Sequence, residues 1–264
     1  IRARSVATQG LDFGLLRLHA RLSAAQHHTQ HPCVIHHVAI ATGNMKEQLQ
    51  FFSDVLGMRL QGLYWMHGVE GAWHAFMEMG EAQFAFAFVP GNEKIDIEYG
   101  VTHAGSGAGN SAPGSMQHIA LNVDTPDDLL AMRDRIRSRG INVFGPLQHG
   151  ICQSIYFGGP EGLALEVATS GGATAPLDND GTWIDREVQE LAGISDDELA
   201  ALMNPADYRA EGGAVKQPVY DPDKPHNQYP KEIYEAMLAA PDEVITGASK
   251  KWAEPPANNI ANKG

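Results

Sequence analysis

The sequence has few cysteines, an excess of negative over positive charge, and no long apolar run. Two cysteines, Cys33 and Cys152, exclude a disulfide framework and predict free thiols in a reducing cytoplasm. Lys and Arg number 19 against 32 Asp and Glu, and the formal charge of -13 argues against nucleic acid or anionic membranes as partners. No stretch reaches the roughly 18 apolar residues that cross a bilayer. These absences favour a cytoplasmic protein that acts on a small molecule.

What the chain does contain suits a globular protein. Hydrophobic residues make up 43% and charged residues 19% of its 264 residues, enough for one large domain or two small ones around a shared core. Residues 1–32 carry scattered arginines and lack the clean apolar stretch of a secretory signal. We expect this N-terminal extension to take no part in the chemistry.

Two segments of the chain follow one plan. His37 stands before Val-Ala-Ile, and His118 stands before Ile-Ala-Leu at a period of 81 residues. Each histidine opens a β-prone run, which leads through a polar turn to an amphipathic helix and then to three further β-prone runs. The local signals are candidate helix N-caps at Asn44 and Thr125, helix-ending glycines at Gly57 and Gly140, and a β-prone run at residues 141–144 after the second helix. The pattern is βαβββ, twice. It predicts an α+β fold whose two modules pair into one half-open, β-barrel-like metal site.

These patterns divide the chain into five predicted parts. They are the extension 1–32, a first module 33–100, a Gly-rich linker 101–114, a second module 115–170 and a C-terminal extension 171–264. The linker composition indicates a flexible connection or mobile loop. The C-terminal extension is predicted to be helical or irregular, with a capping box at Ser195. We expect it to wrap the paired modules or a partner subunit of a homo-oligomer.

Three residues are candidate metal ligands. Glu166 lies in an otherwise apolar β-prone run, where burial without a partner would be costly, although a sheet-edge carboxylate facing water is the alternative for this residue alone. His37 and His118 occupy matching places in the repeat, and pairing of the modules would bring all three together. Because the first-copy position that matches Glu166 is Ala85, we expect one metal per two modules. Two imidazoles and one carboxylate suit Fe(II), Mn(II) or Zn(II).

The two copies resemble the vicinal oxygen chelate superfamily, which includes glyoxalases, bleomycin-resistance proteins and extradiol ring-cleaving dioxygenases. Residues 51–58, FFSDVLGM, are similar to its helix end "FY-x-x-x-LG", and residues 156–166 are similar to its closing pattern "Y-F-x-D-P-x-G-x-x-x-E". The resemblance covers about residues 34–170. It implies a divalent metal and a small-molecule substrate, while the reaction differs among members.

The ring-cleaving dioxygenases are the most similar branch. Their pattern of His, Tyr, Pro, Gly and ligand Glu is matched by His149, Tyr156 and the residues up to Glu166, with departures at Leu147 and Gly159. The resemblance implies an Fe(II) enzyme that opens a dihydroxylated aromatic ring with O2. Tyr156 would hydrogen-bond a substrate or oxygen atom, and His149 would act as an acid-base or orienting group.

The first copy departs from the catechol-cleaving pattern. The acid-base histidine of those enzymes would lie near residues 81–86, where Gln83 and Phe84 stand. The doublet of His36 and His37 is more similar to the hydroquinone-cleaving branch, which makes His36 a further candidate catalytic residue, although strand alternation predicts that it faces solvent. An aromatic pocket wall is predicted from four side chains: Trp65, Trp73, Phe84 and Phe86.

Two other classes of function remain open on the same scaffold. An isomerase, lyase or hydrolase would use Zn(II), Ni(II) or Mn(II) as a Lewis acid, but glyoxalase-type enzymes usually keep a first-copy Glu ligand, and residues 84–88 are apolar. A non-enzymatic binding protein, like the antibiotic-resistance members, would generally lack the His-His-Glu triad that this chain keeps.

Overall fold

The computed structural model describes residues 32, 35–177, 182–206 and 215–260, so nearly all of the predicted N-terminal extension and Cys33 lie outside the described residues. The first module consists of β1 (His37–Ala41), α1 (Met45–Asp54), β2 (Leu60–Trp65), β3 (Trp73–Met79) and β4 (Ala82–Phe88). The second consists of β5 (Ile119–Asn122), α2 (Pro126–Ser138), β6 (Phe144–Gln148), β7 (Gln153–Gly158) and β8 (Ala164–Thr169). Four α-helices follow in the described part of the C-terminal region: α3 (Arg186–Leu191), α4 (Asp196–Met203), α5 (Lys231–Ala239) and α6 (Asp242–Ser249).

The two modules have the same topology. Their sheets have the orders β1-β4-β3-β2 and β5-β8-β7-β6. In each sheet the first strand pairs in parallel with the last, and the other pairs are antiparallel. The predicted α+β fold of two βαβββ modules is confirmed. Among the described residues the two sheets remain separate ladders, since no strand of one sheet pairs with a strand of the other.

Local signals set the ends of the two module helices. The Asn44 side chain accepts a hydrogen bond from the Glu47 backbone N–H, and Thr125 does the same for Asp128. Beyond each helix a glycine adopts a left-handed conformation, Gly57 with φ 79° and its counterpart at position 140 with φ 78°. The caps thus start the two helices at matching positions of the repeat.

One hydrophobic core joins the modules. Phe52 of α1 is fully buried, with its ring centroid 4.7 Å from Phe84 and 4.8 Å from Phe86 of β4. Leu129 and Ile136 of α2 belong to the same cluster of buried side chains. Because the helices cover one face of each sheet, the opposite face is left open, and His37 on that face of β1 is exposed. The open faces are therefore where a site can form.

One predicted strand is displaced. The sequence pattern predicts a strand at residues 141–144, whereas β6 spans 144–148. Ile141 and Val143 are instead half-buried against the core, directly after the helix-ending glycine, so their apolar side chains serve packing. β6 contains Pro146, which lacks an N–H, and accordingly lies at the sheet edge with an irregular register.

The predicted helices of the C-terminal extension are present. α4 begins with the predicted capping box, in which Ser195 and Glu198 satisfy each other's backbone N–H groups. In the part of the chain that the structure describes, no helix combines the length and apolarity needed to span a membrane.

Candidate metal centre and pocket

The structure brings His118 and Glu166 together on the open face of the second sheet. Ala120 lies beside Glu166 in the parallel β5–β8 pairing, and His118 is two residues earlier, so both side chains share one face. His118 Nε2 lies 3.0 Å from Glu166 Oε2. The glutamate is only 5% exposed. A buried carboxylate thus has an imidazole as its neighbour, as the sequence predicts.

Gln117 determines which atom of His118 faces the carboxylate. The Gln117 side-chain oxygen contacts His118 Nδ1, and because an amide oxygen only accepts hydrogen bonds, this contact assigns the hydrogen to Nδ1. In a neutral imidazole this leaves the Nε2 lone pair directed at Glu166, and two electron-rich atoms then face each other. A proton or a cation between them relieves this repulsion. Metal-binding histidines commonly donate their second ring N–H to an oxygen in the same way.

Tyr156 and His149 extend this pair into a row of polar groups. Tyr156 lies directly opposite Glu166 in the antiparallel β7–β8 pairing. Its hydroxyl lies 3.1 Å from His149 Nε2, just beyond the end of β6. Burial, together with the nearby Glu166 charge, raises the pKa of Tyr156. The phenol therefore remains a hydrogen-bond donor at neutral pH.

A cavity of about 520 Å³ adjoins these side chains. Its lining includes His118, His149 and Tyr156, with Phe144 and Leu147 as apolar walls. The Gly-rich linker forms another wall through residues 105–108. A volume of this size matches the pockets that hold small organic ligands.

The linker is held over the cavity by hydrogen bonds. The Gln117 side-chain amide donates to the backbone oxygens of Ser106 and Gly109, each at 3.2 Å. Gly107 packs against the Tyr156 ring, where an added Cβ would lie 3.1 Å from the ring edge. The glycines thus allow the backbone to approach the aromatic ring closely.

His37 and His36 lie on the other module. His37 begins β1, and its ring centroid is 5.8 Å from that of Phe76 on the open face of the first sheet. The two histidines do not point in opposite directions, because their Nδ1 atoms are 2.9 Å apart. His74 belongs to the same face, and its pKa is lowered by burial and by the nearby His67 and His37.

The donors of one chain do not complete the predicted triad. Among the residues that the structure describes, no three His, Cys, Asp or Glu side chains form a group that could hold a metal ion. His118 and Glu166 provide two suitable donor atoms on one side of a cavity, and His37 is not grouped with them. A metal therefore fits this arrangement only as a half-site.

None of the four side chains predicted as the aromatic wall lines the cavity beside His118. Phe84 and Phe86 are fully buried in the core beneath α1, because alternation along β4 turns them away from the open face. Trp65 and Trp73 line a separate cavity of about 690 Å³ with Trp252 of the C-terminal region. The aromatic walls beside His118 come from Phe144 and from Tyr156 and its neighbour in β7.

Sequence reasoning missed three contributors to this site. Gly107 and Phe144 line the cavity, and Gln117 orients His118. Position alone could have drawn attention to Gln117, the residue directly before a candidate ligand. For the linker, composition indicates flexibility and nothing about where it packs.

Comparison with known proteins identifies the family to which the fold corresponds. A model described as "Glyoxalase/Bleomycin resistance protein/Dioxygenase superfamily" matches residues 34–167, about half of the chain. The matched segment runs from before β1 into β8 and includes all the candidate ligands.

Individual relatives have different names. The chain is 27% identical over 135 residues to a probable lactoylglutathione lyase of Synechocystis sp., covering 50% of this chain and 91% of that protein. It is 36% identical over 58 residues to biphenyl-2,3-diol 1,2-dioxygenase 2 of Rhodococcus globerulus, covering 22% of this chain and 30% of that protein. The fosfomycin resistance protein FosX of Listeria monocytogenes, solved with Mn(II), is 10% identical with a TM-score of 0.38, covering 56% of this chain and 96% of that chain.

Proposed function

Because the chain belongs to the glyoxalase/bleomycin resistance protein/dioxygenase superfamily, we propose that it is a ring-cleaving dioxygenase that uses Fe(II) and O2 on a hydroquinone or catechol. The observation that carries this proposal is the contact between Tyr156 and His149, 3.1 Å apart beside the His118–Glu166 pair. A phenol and an imidazole next to a metal half-site suit a substrate with ring hydroxyls, because such a substrate must be both oriented and deprotonated.

The residues of this pocket have distinct roles in the proposal. The Tyr156 hydroxyl, kept protonated by its raised pKa, donates its hydrogen to His149 Nε2, and its oxygen accepts a hydrogen bond from a substrate hydroxyl. His149 Nε2 accepts a proton from the Tyr156–substrate hydrogen-bonded pair and holds it at the mouth of the cavity. Phe144 and Leu147 contact the faces of the aromatic ring and exclude water. His36 is exposed on the other module and could act only where the two open faces meet.

We further propose that a second copy of the chain supplies His37 to each half-site. Each chain carries an exposed His37 on one open sheet face and the His118–Glu166 pair on the other. A two-fold symmetric dimer in which these faces meet would complete two identical His-His-Glu sets at once. This arrangement agrees with the expected homo-oligomer and keeps the three predicted ligands, with Fe(II) as the expected metal and Mn(II), Zn(II) or Ni(II) as alternatives.

Co-expression of two inactive variants tests the shared site. The two variants, His37→Ala and His118→Ala, would carry different tags. A dimer formed from two copies of the same variant would lack one ligand in both of its sites. A mixed dimer would have one intact site and one doubly altered site. We expect the co-expressed pool to recover about a quarter of the wild-type metal, since half of randomly formed dimers are mixed. No recovery would mean that sites are not shared between chains.

A lyase of the lactoylglutathione type is the second candidate. It is favoured by the alignment with the relative named as a probable lactoylglutathione lyase, which covers 91% of that protein's length. Against it, Ala85 occupies the first-module position that corresponds to Glu166, so a fourth ligand at this place is lacking. The reaction would use the same half-sites with a Lewis-acid metal.

One set of measurements separates the candidates. Metal analysis of anaerobically purified protein would be combined with O2 uptake on a panel of dihydroxybenzenes and with isomerisation of the methylglyoxal–glutathione adduct. We expect bound iron and O2 uptake with at least one dihydroxybenzene. Bound Zn or Ni with adduct turnover would establish the lyase instead. Binding of aromatic compounds without turnover of either kind would indicate a sequestering protein.

A further inference from the structure

The turn that leads into β8 contains an unusual residue. Glu161 has φ 53° and ψ 38°, and it is the only residue other than glycine with positive φ in the part of the chain that the structure describes. A side chain with a Cβ is disfavoured there, and such a conformation persists where the surroundings determine it. The turn connects β7, which carries Tyr156, to β8, which carries Glu166.

The Glu161 carboxylate accepts four hydrogen bonds from the first module. The donors are the Thr42 hydroxyl at 2.6 Å, the backbone N–H groups of Gly43 at 2.8 Å and Asn44 at 3.0 Å, and the Gln48 side-chain amide at 2.7 Å. Thr42 and Gln48 are buried. Short charge-assisted bonds of this kind are stronger than neutral ones. All four partners donate, so only an ionised carboxylate satisfies them together.

These donors lie at a specific place in the first module. Thr42 follows directly after β1, the strand that begins at His37, and Asn44 caps α1. The carboxylate also lies at the positive end of the α1 dipole. At the other end of α1, the Arg135 guanidinium donates to the backbone oxygens of Asp54 and Val55, each at 2.8 Å. The second module therefore contacts both ends of α1, with a negative charge at the N-terminus and a positive charge at the C-terminus, which are the signs that the helix dipole favours.

We propose that Glu161 is a positioning residue that sets the relative placement of the strand carrying His37 and the strand carrying Glu166. The proposal rests on the metal site proposed above. If sites are completed between copies, the two half-sites of each chain must be held at one fixed separation for both sites of a dimer to close. A carboxylate that joins the end of β1 to the start of β8 does this directly.

The test compares Glu161→Gln with Glu47→Gln in the full chain. Glu161→Gln places an amide N–H₂ against groups that all donate. Glu47→Gln removes the same charge from the first turn of α1, where Glu47 is exposed and, among the residues that the structure describes, accepts from the Asn44 side chain and from no group of the second module. The readouts are hydrogen exchange of the peptides covering residues 37–44 and 160–166, and Co(II) affinity by titration.

We expect Glu161→Gln to speed exchange in both peptides together and to weaken Co(II) binding at least about tenfold, the range typical of residues that orient metal ligands. Glu47→Gln should change neither. Faster exchange confined to the 37–44 peptide, or unchanged Co(II) affinity, would reduce Glu161 to a helix cap and overturn the proposal.

Two further arms keep the result interpretable. If Glu161→Gln does not fold, Thr42→Val removes one of the four donors with little change in shape and must show the same two effects in smaller degree. If the wild-type protein binds no Co(II), the metal site is wrong, and the paired change in exchange alone decides whether Glu161 couples the modules.

Discussion

Ala85 in β4 and Glu166 in β8 occupy equivalent positions in the two sheets. Ala85 pairs with Ala39, two residues after His37, and Glu166 pairs with Ala120, two residues after His118. The repeat therefore presents a histidine in both modules and a carboxylate in one of them. Because of this asymmetry, the equivalent positions of the two open faces supply three candidate ligands to a shared site: two histidines and one glutamate.

The first prediction concerns Glu166. Replacing it by Gln removes the anionic donor, so bound metal should fall below about a tenth of the wild-type content. Without metal, the variant should be as stable as the metal-free wild type or more stable, because a buried charge is replaced by a neutral group of the same size. Elemental analysis and thermal unfolding check both parts. Glu78→Gln, at an exposed ion pair with Arg59, is the control and should retain its metal.

The second prediction concerns the Tyr156 hydroxyl. Tyr156→Phe keeps the ring in the cavity wall and deletes the group that contacts His149. We expect kcat to fall about 100-fold with little change in KM, which is the lower end of effects for positioned acid-base groups. Tyr220→Phe, which removes a hydroxyl near His226 in the C-terminal region, should leave both constants unchanged. An unaltered kcat in Tyr156→Phe would remove this residue from the mechanism.

The third prediction concerns the linker over the cavity. Gly107→Val would place a side chain against the Tyr156 ring, since even a Cβ would lie 3.1 Å from it. KM for a productive substrate should rise several-fold, while the melting temperature changes little because the loop is on the surface. Steady-state kinetics measure the effect. Gly247→Ala in α6, where an added Cβ meets nothing within 4 Å, should leave KM unchanged and stabilise the protein by up to about 1 kcal/mol.

The fourth prediction concerns pH. Burial alone would raise the pKa of Glu161, but the hydrogen bonds from Thr42, Gln48, Gly43 and Asn44 outweigh it and lower the pKa below its ordinary value of 4.5. A carboxyl group whose pKa is lower in the folded state contributes stability above its unfolded pKa, and this contribution is lost as the pH falls through the folded value. The free energy of unfolding should therefore decline as the pH falls below about 4.5.

Comparison with Glu161→Gln isolates this contribution. Glu93, Asp96 and His103 line the same small cavity as Glu161 and are unchanged between the two proteins. The difference between the two denaturation curves at each pH therefore reports on Glu161. Parallel pH profiles for the wild type and the variant would contradict the assignment.

The sequence predicted those features that depend on neighbours along the chain. Asn44 and Thr125 cap their helices, Gly57 ends the first helix, and Ser195 opens a capping box, because each acts on groups within a few residues. The repeat also predicted both sheets. The sequence predicted that His118 and Glu166 would meet through pairing of the modules, whereas the structure brings these two together within the second sheet alone.

Relationships between the modules depend on the tertiary structure alone. No local pattern indicates that Glu161 reaches Thr42 across 119 positions of sequence, or that the linker packs on Tyr156. Likewise, the matching places of His37 and His118 in the repeat predict that they occupy equivalent strand positions, but they do not determine the distance between the two side chains. That distance is set by how the helix-covered faces pack into one core, which turns both histidine-bearing faces outward and leaves His37 apart from the pair it was predicted to join.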